Sequence, residues 1–350
     1  MTGTKIRTTG RRTLERTGAL LLTAVLMSCT GATTEPTPVP TPTPVVTPPP
    51  TPAPTPVPTV TVAAQPDSLV FSSVKGQVSA VQRVTLQNTS TTAVQVTALT
   101  VSGTEFEVVN PPALPLTLAA NQSLPVQVRL RATGTVGVVK AALQTQGAAV
   151  SVPLSGLRAV GLEGSAEPPL SQIVETLGYK VNVGWTGLES DTANFPLGSE
   201  IIAKTFMKAS TGPVTLTPVA RYSPDGVTPF GYFTLSGTTA VRKTAGTLVA
   251  GQYQMLNPGI TGGTSASSTS FDPGTAAFGI YIDPAAYDYP LTYTQDSLNT
   301  GRTAHAVRVY AMKDSAGVAV ANTYLLCFEP SVNGDYQDVV FVLRNVKPAP

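Results

Sequence analysis

Alternation of apolar and polar side chains with a period of two restricts this chain more than any other feature. Val84 and Leu86 alternate with Arg83, Thr85 and Gln87, and Val126, Val128 and Leu130 alternate with Gln127, Arg129 and Arg131. Val150, Val152 and Leu154 alternate in the same way with Ser151, Pro153 and Ser155. Successive side chains of an extended strand point to opposite faces, so each run carries one apolar and one polar face. About seven such runs, separated by breaks rich in Asn, Ser, Thr, Gly and Pro, fill residues 65–161 and predict an antiparallel sandwich. Charged residues are 12% of the chain, against ~25% in an average globular protein. Thr, Ser, Gln and Asn must therefore cover most of the surface, which suits β-sandwiches and not helix bundles.

Residues 163–348 open with one helical signal and then return to β. Leu170, Ile173, Val174 and Leu177 recur at helical spacing behind Pro168-Pro169, with Gly178 as a stop. Strand signals follow over residues 179–183, 201–207, 214–222, 230–235, 278–282, 306–312, 320–328 and 339–346. Residues 313–317 read as a hairpin turn.

The N-terminus carries an export signal. Lys5, Arg7, Arg11, Arg12 and Arg16 form a basic head before an uncharged apolar run over residues 18–27. That run is shorter than the ~20 residues needed to span a bilayer and fits a signal-peptide core. Leu26-Met27-Ser28-Cys29 resembles the bacterial lipobox, although Met27 is bulkier than usual at its place. The resemblance implies cleavage after residue 28, acylation of Cys29, and a chain held in the cell envelope by lipid. Arg11-Arg12 suits twin-arginine export less well, because Glu15 stands where that signal prefers an apolar residue. Removing five basic residues and Glu15 from the 22 basic and 20 acidic of the whole chain leaves 17 and 19. The mature charge is then about −2, which leaves no basic footprint for nucleic acid.

Residues 29–64 are a proline-threonine stalk. Proline alternates with Thr, Val and Ala over residues 36–58, a composition that cannot bury a core and favours extended polyproline II, without a fixed fold. At ~3.1 Å per residue the stretch 30–63 reaches on the order of 100 Å. A spacer of that length lifts the folded region away from a membrane surface.

The first folded region is similar to a known family. Leu69-x-Phe71-x-x-Val74-x-Gly76, Val84-x-Leu86-x-Asn88-Thr89-Ser90, Leu99-x-Val101-x-Gly103, Phe106, Leu118, Val126-x-Val128-x-Leu130, Gly134 and Val152-x-Leu154-x-Gly156 follow one another in order. This series resembles the immunoglobulin-like domains named after the abnormal-spindle and hydin proteins, with Ala132-Thr133 where that family often has proline. The resemblance implies a spacing or adhesive module. Residues 163–348 resemble an uncharacterised C-terminal module of large secreted bacterial proteins, notably at Asp335-Tyr336-Gln337-Asp338-Val339-Val340. The expected fold is all-β: an immunoglobulin-like sandwich, then a larger sandwich of jelly-roll type.

Two groups of residues carry candidate chemistry. Glu329, Asn333, Asp335 and Asp338 lie in one loop between two apolar strands, and oxygen donors in such a loop suit Ca2+, which takes six to eight oxygens. The loop resembles the Asp-Tyr-Asn-Asp loops of calcium-dependent extracellular bacterial domains, with Gln337 in place of Asn. Asp296 is a further candidate ligand. Asp, Asn and Gly are equally the residues of any polar hairpin loop, and Glu329 and Asp335 are expected to be solvated. Trp185, Tyr287 and Tyr289 are candidate ligand-binding aromatics, since sugar rings stack on such faces, while core packing is the plainer role for aromatics.

Signals of catalysis are weak. His305 is the single histidine, and the nucleophile elbow and phosphate-binding glycine loop are absent. Ser72-x-x-Lys75 has the spacing of a serine acylase but lacks its partner motifs. Cys327, inside an apolar strand, is expected to be a buried inert thiol. The sequence thus points to a non-enzymatic envelope lipoprotein that binds or scaffolds a glycan or a surface protein. An extracytoplasmic enzyme acting on glycans and a purely structural spacer are the alternatives.

Overall fold

The alternating runs pair as strands whose apolar faces meet. The computed structural model describes residues 62–187, 195–301 and 303–350; the basic head, Cys29 and the stalk up to residue 61 lie outside the described residues. In the first sandwich, one sheet has the order Val62–Gln65, Gln82–Asn88, Ser123–Leu130, Phe106–Val109. The other has the order Leu69–Val74, Ser151–Ala159, Gly137–Gln146, Ala98–Val101. Pairing within these sheets is antiparallel except between Leu69–Val74 and Ser151–Ala159, which run parallel with Phe71 opposite Gly156. Val84, Leu86, Val126, Val128, Leu130, Val152 and Leu154 all enter the core. Gly156 passes the tilted Phe71–Phe106 ring pair, where a Cβ would come within 2.9 Å of Val139 and 3.1 Å of Phe106. The first strand begins at Val62, within the expected end of the stalk.

The second sandwich explains why its strands read as unbroken apolar runs. Its central sheet has the order Met255–Leu256, Val214–Arg221, Val339–Arg344, Ala319–Phe328, Val307–Lys313. The outer sheet has the order Ile260–Thr261, Thr239–Leu248, Thr228–Ser236, Gly279–Ile282, Thr292–Tyr293. Between them lies a core that includes Leu216, Phe230, Ile280, Phe328, Phe341 and Leu343. The opposite face of the central sheet presents Tyr310, Leu325, Cys327, Val340 and Val342 to Leu170, Ile173 and Val174 of the helix Leu170–Thr176, and to Leu157 of the first sandwich. With both faces covered, consecutive residues must be apolar. Cys327 is fully buried as expected, and burial pushes its thiol well above the ordinary range.

Local turn signals have a backbone cause. Gly178 takes φ +78°; its N–H donates to the Glu175 carbonyl at 3.1 Å, and the Tyr179 N–H donates to Val174 at 2.8 Å. This left-handed cap ends the helix where the sequence places its stop. Asp314 Oδ1 accepts from the N–H groups of Ala316 and Val318, both at 2.9 Å, and closes the expected hairpin. Residues 179–183 form no strand, and within 201–207 regular pairing is limited to Phe206–Lys208, against Val346–Pro348. Thr239–Leu248 gives no strand signal because residues 239–244 meet solvent on both faces and lack alternation.

Asn88 ties the first sandwich together. Fully buried at a strand end, its amide donates to the carbonyls of Thr92 (2.8 Å), Leu118 (3.0 Å) and Ala119 (3.1 Å). Its own oxygen accepts from the N–H (3.0 Å) and hydroxyl (2.7 Å) of Ser90. Asn88→Ala strands these groups and should cost about 2 kcal/mol or more in urea unfolding. A loss below about 0.5 kcal/mol, the range of ordinary surface changes, would show the tie to be dispensable.

Candidate metal centre

The register of the central sheet builds the site. Phe328 pairs with Val339 across the hairpin, so Glu329 and Asp338 leave the two strands side by side, and residues 330–337 loop between them. The Glu329 N–H donates to the Ala306 carbonyl, and the Tyr222 N–H donates to the Asp338 carbonyl. Tyr336 takes a left-handed φ of 56°. The N–H groups of Asp335 (2.9 Å) and Tyr336 (3.3 Å) consequently both point at Glu329 Oε2, a backbone nest for one carboxylate oxygen. The Tyr336 ring is buried under the Arg308 guanidinium, 4.4 Å from its centroid, and meets Trp185 edge-on at 6.2 Å. Its hydroxyl donates to the His305 carbonyl at 2.7 Å.

The loop acids are closed from water, contrary to the expectation of solvated side chains. Glu329 and Gln337 are 0% exposed, Asp335 2% and Asp338 7%. Composition gives no hint of this because the cover comes from elsewhere in the chain. Glu167, from the connector between the sandwiches, joins the cluster as an acceptor from the amides of Gln254 and Gln337, the latter at 2.8 Å. Neither Glu167 nor Gln254 lies in a motif; they lie 87 residues apart and meet only in the fold.

Hydrogen bonds fix one end of several of these side chains and leave the other end bare. Asp335 Oδ2 accepts from Asn333 (2.6 Å) and Gln337 (3.1 Å). Glu329 Oε1, Asp335 Oδ1, Asp338 Oδ2, Gln337 Oε1 and Gln254 Oε1 are buried acceptors with no hydrogen-bond partner. Glu329, Asp335 and Asp338 each offer an oxygen, and these oxygens all lie within 4.8 Å of one another. That is the widest separation two ligands of one ion can have at about 2.4 Å each, within the calcium range.

Such crowding disfavours the charged forms. Burial, with the Asp335 charge adding to it, pushes Glu329 up to about 8. Burial pushes Glu167 up to about 7 against the hydrogen bond from Gln254. Asp335 is raised by burial, and Asp338 well raised by burial and then by the charges on Glu329, Asp335 and Glu167. Two things can relieve the cluster: protons shared among the acids, or a cation.

The other candidate residues go elsewhere. Asp296 does not join the cluster, because its carboxylate is engaged by His305 Nδ1 at 3.2 Å. His305 Nε2 in turn meets Glu200 Oε1 at 2.8 Å, and Glu200 pairs with Arg308. Asn333 is exposed and uses its amide nitrogen to hold Asp335, so it caps the loop. Tyr287 bonds Thr228 at 2.7 Å and meets Tyr289 edge-on at 5.4 Å. Trp185 is half-buried and borders a groove of about 580 Å³ that neither tyrosine lines. Ser72 Oγ accepts from the Leu256 N–H at 3.0 Å, a structural link.

No family model and no curated protein matches the chain. Among solved structures it is similar to the secreted serine protease VesC from Vibrio cholerae, at 11% identity and a TM-score of 0.22, over 82% of this chain and 52% of that one. The chain thus spans about half the length of that protein, and so slight a likeness carries no argument.

The buried acids set a pH dependence. An acid whose pKa is higher folded than unfolded binds more protons in the folded state, so stability falls as pH rises between the two values. For Glu329 the window runs from its ordinary 4.5 to about 8. In chelating buffer the unfolding midpoint should drop steadily across that window; a flat or rising profile would contradict the burial of these acids.

Proposed function

We propose that this chain is an extracytoplasmic, lipid-anchored module that binds or scaffolds a glycan or protein, with its larger sandwich locked by a structural Ca2+. The bare oxygens of Glu329, Asp335 and Asp338 carry the metal aspect of this reading. Three carboxylates whose oxygens lie within 4.8 Å of one another form a hard, all-oxygen donor set. Calcium accepts such a set in irregular geometry, whereas Mg2+ keeps several waters and demands an octahedron. Bound there, the ion would neutralise acids that otherwise repel and tie two strand ends of the central sheet together.

Closure of the site argues for a structural role. A glycosidase needs two acids ~5–9.5 Å apart across a cleft that admits a sugar, whereas these acids are buried and packed against one another. A ligand face is better sought at Trp185. With Tyr179, Lys140, Glu175 and Asn182 it lines the groove of about 580 Å³, combining aromatic faces with hydrogen-bonding groups as sugar recognition requires. The anchor rests on the lipobox-like Leu26–Cys29 segment and the stalk behind it. Among the described residues no helix is long and apolar enough to cross a membrane.

Melting the full chain in calcium and in chelator tests the metal. With calcium at 100 times its Kd the gain is about 2.7 kcal/mol, so the midpoint should rise by roughly 5 °C or more. Asp335→Ala should abolish the rise, and an unchanged wild-type midpoint would sink the site. Native mass spectrometry should find Cys29 acylated as the first residue. A glycan array read with wild type and Trp185→Ala tests the groove, where equal signals from both would reject it.

A further inference from the structure

The connector between the sandwiches runs through the acidic cluster, and this deepens the calcium reading, on which it rests. After Ser151–Ala159 the chain turns tightly. The N–H groups of Val160 and Gly161 donate to the Ala166 carbonyl at 3.1 and 3.2 Å, and the Glu167 N–H donates to Gly164 at 3.1 Å. Pro168 and Pro169 then lead into the helix Leu170–Thr176. Glu167 is only 8% exposed, and its two oxygens each accept one amide: Oε1 from Gln254 and Oε2 from Gln337.

A carboxylate only accepts, so the nitrogen of each amide must face it. Glu167 thus helps to orient both glutamines, together with the Ser223 carbonyl on Gln254 and Asp335 on Gln337, and each is left with a buried Oε1 that has no partner. Gln337 also donates to Asp335 Oδ2, which places it against a carboxylate of the cluster. Groups that orient metal ligands in this way typically govern affinity by 10–100-fold.

We propose that Glu167 is a positioning residue for the cation, and that through it metal binding fixes the connector and so the docking of the first sandwich on the second. The cluster then acts as a joint as well as a clamp. Four separate stretches of chain meet there: the connector at Glu167, Gln254 before Met255–Leu256, Glu329, and residues 335–338.

The test uses the full chain, calcium titration calorimetry and hydrogen exchange with and without calcium. In wild type, calcium should slow exchange at the Val160, Gly161 and Glu167 amides by at least about tenfold, as well as in the 329–338 loop. Glu167→Gln has the same shape but offers one acceptor in place of two. It should bind calcium about 10–100-fold more weakly and lose the protection of the connector. Gln254→Met removes the amide that donates to Glu167 Oε1 and leaves Gln337 on Oε2; it should weaken calcium binding and connector protection less than Glu167→Gln does. Wild-type affinity and connector protection in Glu167→Gln, or protection confined to the 329–338 loop in wild type, would overturn the coupling and leave the site standing. No calcium uptake by wild type would overturn both. Equal metal-free melting of the variants and wild type checks that each is folded.

Discussion

The central sheet of the second sandwich has no face in water. One side packs on the outer sheet, and the other on the helix Leu170–Thr176 and the first sandwich. Its strands end in an exposed hairpin at residues 313–319 on one side and at the covered Glu329 and Asp338 on the other. The acidic loop sits at the covered end. Its residues are polar because a turn requires them, and buried because the connector and Tyr336 close over it. Burying an unpaired carboxylate is strongly unfavourable, so the fold requires compensation there. Backbone N–H groups and two amides supply some of it, and one oxygen from each of Glu329, Asp335 and Asp338 lies within 4.8 Å of the others.

Much of this is legible along the chain. Alternation at Val84, Leu86, Val126 and Val128 marks the first sandwich because one face of each strand meets solvent. Unbroken runs such as Val339-Val340-Phe341-Val342-Leu343 mark the doubly covered sheet. Glu329, Asp335 and Asp338 stand out by their residue types, and the structure brings them together. Their burial is hidden, since it depends in part on Glu167, 170 residues before Gln337. Asp296 shows the converse: it resembles a ligand by composition, but His305 claims its carboxylate in space. Glu167 and Gln254 carry no local signature, because nothing around them in the chain differs from an ordinary polar loop.

A second polar group flanks the first without merging into it. Glu200, Arg308, His305 and Asp296 form a chain of ion pairs and hydrogen bonds, and the Tyr336 hydroxyl reaches the His305 carbonyl. Burial alone would lower the histidine, but Asp296 and Glu200 hold it above its ordinary value. The Arg308 guanidinium covers the Tyr336 ring while pairing with Glu200. Arg308 and His305 both pair with Glu200, and among the described residues the ion pairs involve none of Glu329, Asp335 and Asp338.

The parallel pairing of Leu69–Val74 with Ser151–Ala159 has a mechanical meaning. The chain enters this sheet at Leu69 and leaves it after Ala159, at opposite ends of two strands that run side by side. A pull between the two ends would slide one strand along the other and load their hydrogen bonds together in shear. An antiparallel pairing of the same strands would instead let those bonds break in succession, like a zip. The geometry found here is the one in which those bonds resist together.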